Sequence, residues 1–108
     1  MFQCVELILE IIRMLRPLVA QIARKDRDLA RQIRKAANGV LLNASEGNQR
    51  RGGDRLYLFS TSRGSASEVS VALRGAVEWG FVAEDQIVEV EARLDSVRKI
   101  LWRLENPR

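Results

Sequence analysis

The sequence has no histidine and a single cysteine, and these two shortages remove most enzyme and metalloprotein chemistry. Without an imidazole there is no Ser-His-Asp or Cys-His nucleophile and no His-ligated zinc or iron. A carboxylate di-iron bundle is excluded too, because it needs two Glu-x-x-His pairs. One cysteine, Cys4, cannot form an internal disulfide or a cysteine cluster. It falls on the apolar side of the first helical segment and reads as a small buried hydrophobe. Aromatic residues make up only 6% of the chain and there are two prolines, which favours helices packed by Leu, Ile, Val and Ala. Long uninterrupted apolar runs are missing as well. Glu6, Glu10, Arg13 and Arg16 break up the N-terminal apolar stretch, and no basic n-region precedes it. That stretch is neither a signal peptide nor a membrane span. The expectation is a cytoplasmic protein with no membrane partner, no metal and no cofactor.

What is present is helical periodicity. A chain of 108 residues makes one domain spanning 1–108, and four segments repeat their apolar residues at steps of three and four. In the first, Val5, Ile8, Ile12, Leu15, Val19 and Ile22 form one seam, and Cys4, Leu7, Ile11, Met14 and Leu18 form a second beside it. Together the two seams cover about half the helix circumference. That is more than one antiparallel neighbour would bury, so the second seam is expected to be an oligomer interface. Pro17 lies inside the pattern and predicts a kink or local break, not a terminus. Asp26 or Asp28 is the expected N-cap of the second helix, which runs to about Glu46 with Gly47 as its stop. Leu29, Ile33, Ala36, Ala37, Val40 and Ala44 form its inner stripe, and Arg27, Arg31, Arg34 and Lys35 its outer face.

The middle of the chain, residues 43–68, is rich in glycine and serine and could be a flexible linker. Helical phase argues otherwise. Leu58, Phe59, Ser62, Ser65, Ala66, Val69, Ala72, Leu73, Ala76 and Val77 share one arc, before, through and after the serines. The phase predicts a third helix from about Asp54 to Trp79, ended by Gly80. Serine and glycine each weaken helicity by up to ~1 kcal/mol, so tertiary packing must hold it. The fourth helix starts near Glu84-Asp85 on the seam Ile87, Val90, Leu94, Val97, Leu101 and Leu104, with Glu89–Arg93 and Asp95–Lys99 as supporting pairs. Four helices with short connections predict an all-α, up-down-up-down antiparallel bundle that oligomerises.

Charge is unevenly placed. Residues 24–63 hold ten Lys/Arg against four Asp/Glu, a surplus of six, while the whole chain carries +4. A concentrated basic zone fits a polyanion partner or a solvated helix face equally well. The turn Gly47 to Asp54 is no P-loop, since it lacks Gly-Lys-Ser/Thr and follows a helix where a strand is required. A single Arg51-Gly52-Gly53 is a weak RNA-binding signature, although a turn bearing Arg50, Arg51 and Arg55 can touch phosphates. The sequon Asn43-Ala44-Ser45 lies within a helix and carries no argument for glycosylation. Glu46 at a helix C-terminus needs a cation or donor to answer it, and Arg50, Arg55 and Tyr57 are within reach. Glu68 should face the Gln32 to Lys35 level across an antiparallel pair. These polar residues read as satisfied corner and interface pairs, not as a catalytic acid and base.

At these positions the chain resembles a known family, the small four-helix-bundle proteins first noted as products of intervening sequences in 23S rRNA genes. The matching segments are Gln32-Ile33-Arg34-Lys35-Ala36, Asn43-Ala44-Ser45-Glu46-Gly47-Asn48-Gln49-Arg50, Tyr57-Leu58-Phe59 and Gly64-Ser65-Ala66-Ser67-Glu68. The family's usual Ile-Ala is replaced by Ala44 and Ser45, and Ser62 stands where alanine is common. The resemblance implies a bundle assembling into a ring-like homopentamer. It gives Gln32, Asn43, Glu46, Gly47, Gly64, Ser65 and Glu68 a shared structural role. Through a relative, the accessory variability determinant of diversity-generating retroelements, it also implies a reverse transcriptase and its RNA as partners. The expected function is non-enzymatic binding of RNA or another nucleic acid through backbone phosphates, with Arg27, Arg31, Arg34, Lys35, Arg50, Arg51 and Arg55 as contacts. The alternative is an oligomeric scaffold that recruits a protein partner.

Overall fold

A computed structural model describes residues 2–107 and builds them into four helices: α1 Gln3–Ala23, α2 Arg27–Asn48, α3 Gly52–Glu78 and α4 Glu84–Glu105. Connections of only a few residues force each helix to run back along the one before it. The result is an up-down-up-down bundle measuring 42 × 22 × 22 Å. α2 and α3 make the most extensive contact, and α1 packs against both α2 and α4. Among the described residues there is no strand, and no helix is long and apolar enough to cross a membrane.

The helix ends follow their local chemistry. Asp26 caps α2, its Oδ1 accepting the Leu29 N–H at 2.9 Å. Gly80 closes α3 in the left-handed region with φ of 81°. The Phe81 N–H reaches back to the Ala76 carbonyl and the Gly80 N–H to Val77, both at 2.9 Å. This is the paired bonding of a Schellman ending. At the start of α4 the Gln86 side chain accepts the Ala83 N–H at 2.8 Å. The Gln21 amide donates to the Phe81 carbonyl at 3.0 Å, fastening α1 to the α3–α4 connection. α1 continues through Pro17 without ending, as the unbroken phase requires.

Three expectations are corrected. Gly47 is not a helix stop: α2 continues to Asn48, and Gly47 is buried within it. A Cβ at Gly47 would lie 2.9 Å from Cδ1 and Cε1 of the Phe59 ring, so the glycine is there for close approach of α3. α3 begins at Gly52, earlier than Asp54, because Gly52 takes a left-handed φ of 61° that turns the chain out of the α2–α3 corner. The third correction concerns α1. Cys4, Ile11 and Leu18 are buried in the subunit's own core, and Leu7 and Met14 pack against it. In a four-helix bundle α1 has two neighbours, so its second seam is used inside the chain and is not surplus. Burial pushes the Cys4 thiol up to about 11, as suits an inert core group.

The serine-rich segment is helix. Phe59, Ser62, Ala66, Val69, Leu73 and Ala76 form the buried face of α3. Ser62 is fully buried, and its hydroxyl donates to the Val40 carbonyl of α2 at 2.7 Å. Opposite Ser65 stands Gly39, where a Cβ would come within 2.8 Å of the serine Oγ. Small residues on both helices thus let the two backbones approach closely.

Gly47→Ala should therefore destabilise the bundle by about 1–3 kcal/mol, because the Phe59 ring has no room to give. Gly64→Ala meets nothing within 4 Å in a helix interior and should stabilise by about 0.5–1 kcal/mol. Denaturant unfolding of the two variants measures both, and a neutral Gly47→Ala would contradict the close-approach account.

Candidate nucleic-acid interface

The exposed face of α2 begins as a row of cations. At about 100° per residue, Arg27, Arg31, Arg34 and Lys35 fall within an arc of about 100°, and all four are exposed. Arg34 stands on the α1 side, at the rim of a groove shared with Ile12, Leu15, Arg16 and Val19. Lys35 stands on the α3 side, in a cleft shared with Ser65 and Glu68. Arg31 is engaged by Asp28 at 2.7 Å, with side chains 59% and 65% exposed. Hydrogen bonds from Arg31 and then Gln32 hold the Asp28 carboxyl below the usual carboxylate range. Among the described residues no carboxylate forms an ion pair with Arg27, Arg34 or Lys35.

The remaining predicted cations lie elsewhere. Arg50 and Arg51 sit at the α2–α3 corner, about 20–25 Å along the helix from Lys35 at 1.5 Å per residue. Between the two groups the outer face is uncharged, with Asn38, Ser45 and an exposed Leu42. The seven expected contacts therefore make two clusters, not one patch. Arg50 answers Glu46 at 2.6 Å in a half-exposed pair, the corner interaction that the acid at a helix C-terminus calls for. Exposed pairs of this kind contribute little, so Arg31 and Arg50 can exchange their carboxylates for phosphate at small cost. Arg51 is exposed and without an ion pair among the described residues. Arg55 is turned inward. Its guanidinium lies 4.8 Å from the Phe59 ring centroid and donates to the Gly47 and Asn48 carbonyls at 3.4 and 3.5 Å. It serves the C-terminal end of α2 in place of a free anion contact. Tyr57 is largely exposed and plays no part in answering Glu46.

The polar motif separates into distinct tasks. Gly47 and Ser65 belong to the close α2–α3 contact, and Asn43 donates to the Gly39 carbonyl one turn back at 2.8 Å. Glu46 is the corner acid. Gln32, Ser65 and Glu68 line the cleft beside Lys35, with Glu68 at the expected level. Gly64 is exposed, with nothing near its Cα that requires a glycine. Two features escaped the sequence reading. Gly39 has no turn or cap context to mark it as a contact residue. Arg63 is held by Glu105 through two bonds of 2.5 and 3.0 Å, 42 residues away in sequence. That bond raises the Arg63 pKa and removes this arginine from the free basic charge. No local pattern could have paired them.

The N-terminal half of α2 thus presents its cations to solvent. The family model of the 23S rRNA-intervening sequence protein matches residues 3–103. No curated protein matches the sequence. Among solved structures, the chain is similar to a protein of unknown function from the S23 ribosomal protein family of Bacteroides thetaiotaomicron VPI-5482. The two superpose with a TM-score of 0.84 at 15% identity, over 95% of this chain and 98% of that one. At that identity the likeness establishes the four-helix fold.

Alanine substitutions should separate structural from available cations. Arg55→Ala should cost about 1 kcal/mol in thermal unfolding, through the lost carbonyl and ring contacts. Arg27→Ala, Arg34→Ala and Lys35→Ala should each stay within about 0.5 kcal/mol of the parent. Equal losses at all four positions would contradict this division.

Proposed function

The chain belongs to the 23S rRNA-intervening sequence protein family, and on that premise we propose that it is a non-enzymatic RNA-binding bundle. The observation that carries this reading is the row Arg27, Arg34 and Lys35 on one exposed helix face, unpaired among the described residues, with Arg31 held only by a solvent-exposed carboxylate. Cations in this state lose little on meeting a phosphate, and counterion release from the nucleic acid drives the association. Contacts to phosphates position the partner and carry no sequence information of their own. Arg50 and Arg51 supply a second point of contact at the far end of α2. RNA is the polyanion of this proposal, in an rRNA element of the kind after which the family is named or, as a separate form of the same reading, beside a reverse transcriptase.

The working form on this reading is a homo-oligomer, a ring multiplying a modest basic surface by its copy number. Cys4, Ile11 and Leu18 of the α1 seam are already buried within the subunit, so the interface of this proposal draws on other surface. Exposed Val71 on α3 and Trp79 at its end, with Val88 and Trp102 of α4, are among the large apolar side chains left at the surface. A second reading, a scaffold for a protein partner, is favoured by the α1–α2 groove. That groove has about 400 Å³ of space, an apolar floor of Ile12, Leu15, Val19 and Ile33, and Arg16 and Arg34 beside it. An acidic amphipathic segment would suit it.

Titration of labelled structured RNA at two salt concentrations tests the first reading. Binding should weaken steeply with salt. The combined Arg27→Ala, Arg34→Ala, Lys35→Ala variant should lower the slope of log K against log salt by about two to three. Binding that is absent at low salt, or unaffected by the triple variant, removes the RNA reading and leaves the scaffold.

A further inference from the structure

The cleft between α2 and α3 is built differently from the row of cations beside it. It has about 380 Å³ of space and is lined by Arg31, Gln32, Lys35, Gly39, Ser65 and Glu68, with Ala36 at its base. The smallness of Ala36, Gly39 and Ser65, which lets the two helices touch, also leaves the depression open above them. Its volume lies in the range of small-molecule sites, about 300–1,000 Å³.

Arg31 is held by the exposed Asp28 carboxylate at 2.7 Å, and the other two charges of the cleft are uncommitted. Lys35 and Glu68 face one cavity yet form no ion pair with each other or, among the described residues, with any other group. The Gln32 amide nitrogen is used on Asp28 at 2.7 Å, which leaves its carbonyl oxygen as an acceptor. The cleft therefore offers cations from α2, with the Gln32 oxygen beside them, and a carboxylate from α3. A bare phosphate suits only half of it, because Glu68 repels an anion. A ligand that satisfies both halves needs an anionic group joined to an edge of N–H donors.

We infer that this cleft takes one unpaired guanosine 5′-phosphate unit, its phosphate on Arg31 and Lys35 and its base edge on Glu68. Guanine alone among the four RNA bases presents two N–H donors side by side, N1–H and the N2 amino group, matching the two oxygens of a carboxylate. Adenine, cytosine and uracil each offer a single donor group on that edge. Unpaired bases are the ones whose edges proteins can read in RNA, and the open cleft adjoins the face proposed to track phosphates. The inference deepens the RNA-binding reading and rests on it for the strand, while free guanosine 5′-monophosphate carries the same chemistry alone.

Fluorescein-labelled single-stranded pentanucleotides UUGUU, UUAUU and UUIUU, titrated by anisotropy at about 50 mM salt, decide it. The guanine strand should bind about tenfold more tightly than the adenine strand, the usual size of a bidentate base contact. The inosine strand, lacking the N2 amino group, should fall close to adenine. Glu68→Gln should bring the ratio near one. Glu89→Gln, which makes the same change in net charge on α4, should keep it. A wild-type protein indifferent to the base, or a preference that survives Glu68→Gln, overturns the inference while the phosphate reading stands. If no strand binds, the RNA reading fails, and calorimetry with guanosine 5′-monophosphate against adenosine 5′-monophosphate still decides the cleft. A guanosine preference lost in Glu68→Gln supports it, and equal or absent binding overturns it.

Discussion

The rest of the structure depends on the close approach of α2 and α3. Gly39 and Gly47 on one helix face Ser65 and Phe59 on the other at distances that leave no room for a Cβ. Ser62 crosses the same contact to the Val40 carbonyl, so the one fully buried polar side chain of the interface is satisfied. Serine and glycine are poor helix formers. Here their small volume outweighs that weakness, since tight backbone contact replaces the stabilisation that larger side chains give elsewhere.

This contact also sets the surface. With Ile33, Ala37, Val40 and Ala44 turned inward, the rotation of α2 about its axis is fixed, and Arg27, Arg31, Arg34 and Lys35 must point out. The small residues that permit the approach leave a cleft above them, flanked by Lys35 and Glu68. At the other end of α2, Phe59 fills the space over Gly47 and draws Arg55 onto its ring. That arginine then serves the helix terminus, and Arg50 and Arg51 remain as the exposed cations of the corner. One packing solution thus separates the basic residues into an exposed row on α2, two exposed corner cations and a structural guanidinium.

Much of this was legible in the residues. Phase through Ser62 and Ser65 identified α3 as helix, because a linker has no reason to hold apolar residues at 3.6-residue spacing. The pair Asp26 and Asp28 marked the start of α2, with Asp26 taking the cap, and Glu46 found Arg50 as an acid at a helix C-terminus should. Gly47 was misleading, since a glycine needed for left-handed backbone and one needed for close approach look alike in a single sequence. The Cys4–Leu18 seam misled for a related reason: apolar width reports how much surface is buried, not whether one chain or two bury it. The engagement of Arg63 by Glu105 depends on the register of α3 against α4, which no local pattern carries. Function was legible only as charge, and the separation of the cations into two groups required the helix axis.

The central proposal is that RNA meets this protein chiefly at the N-terminal half of α2, with the α2–α3 corner as the lesser contact. Two-dimensional ¹⁵N–¹H spectra of the protein, recorded with backbone amides and arginine Nε–H groups resolved as a short structured RNA is added, test it most directly. The account predicts the largest shifts at residues 27–35 and at Ser65 and Glu68 beside them, smaller ones at Arg50 and Arg51, and none at Arg55. Shifts centred on residues 50–55 or on α4, with residues 27–35 silent, would contradict it.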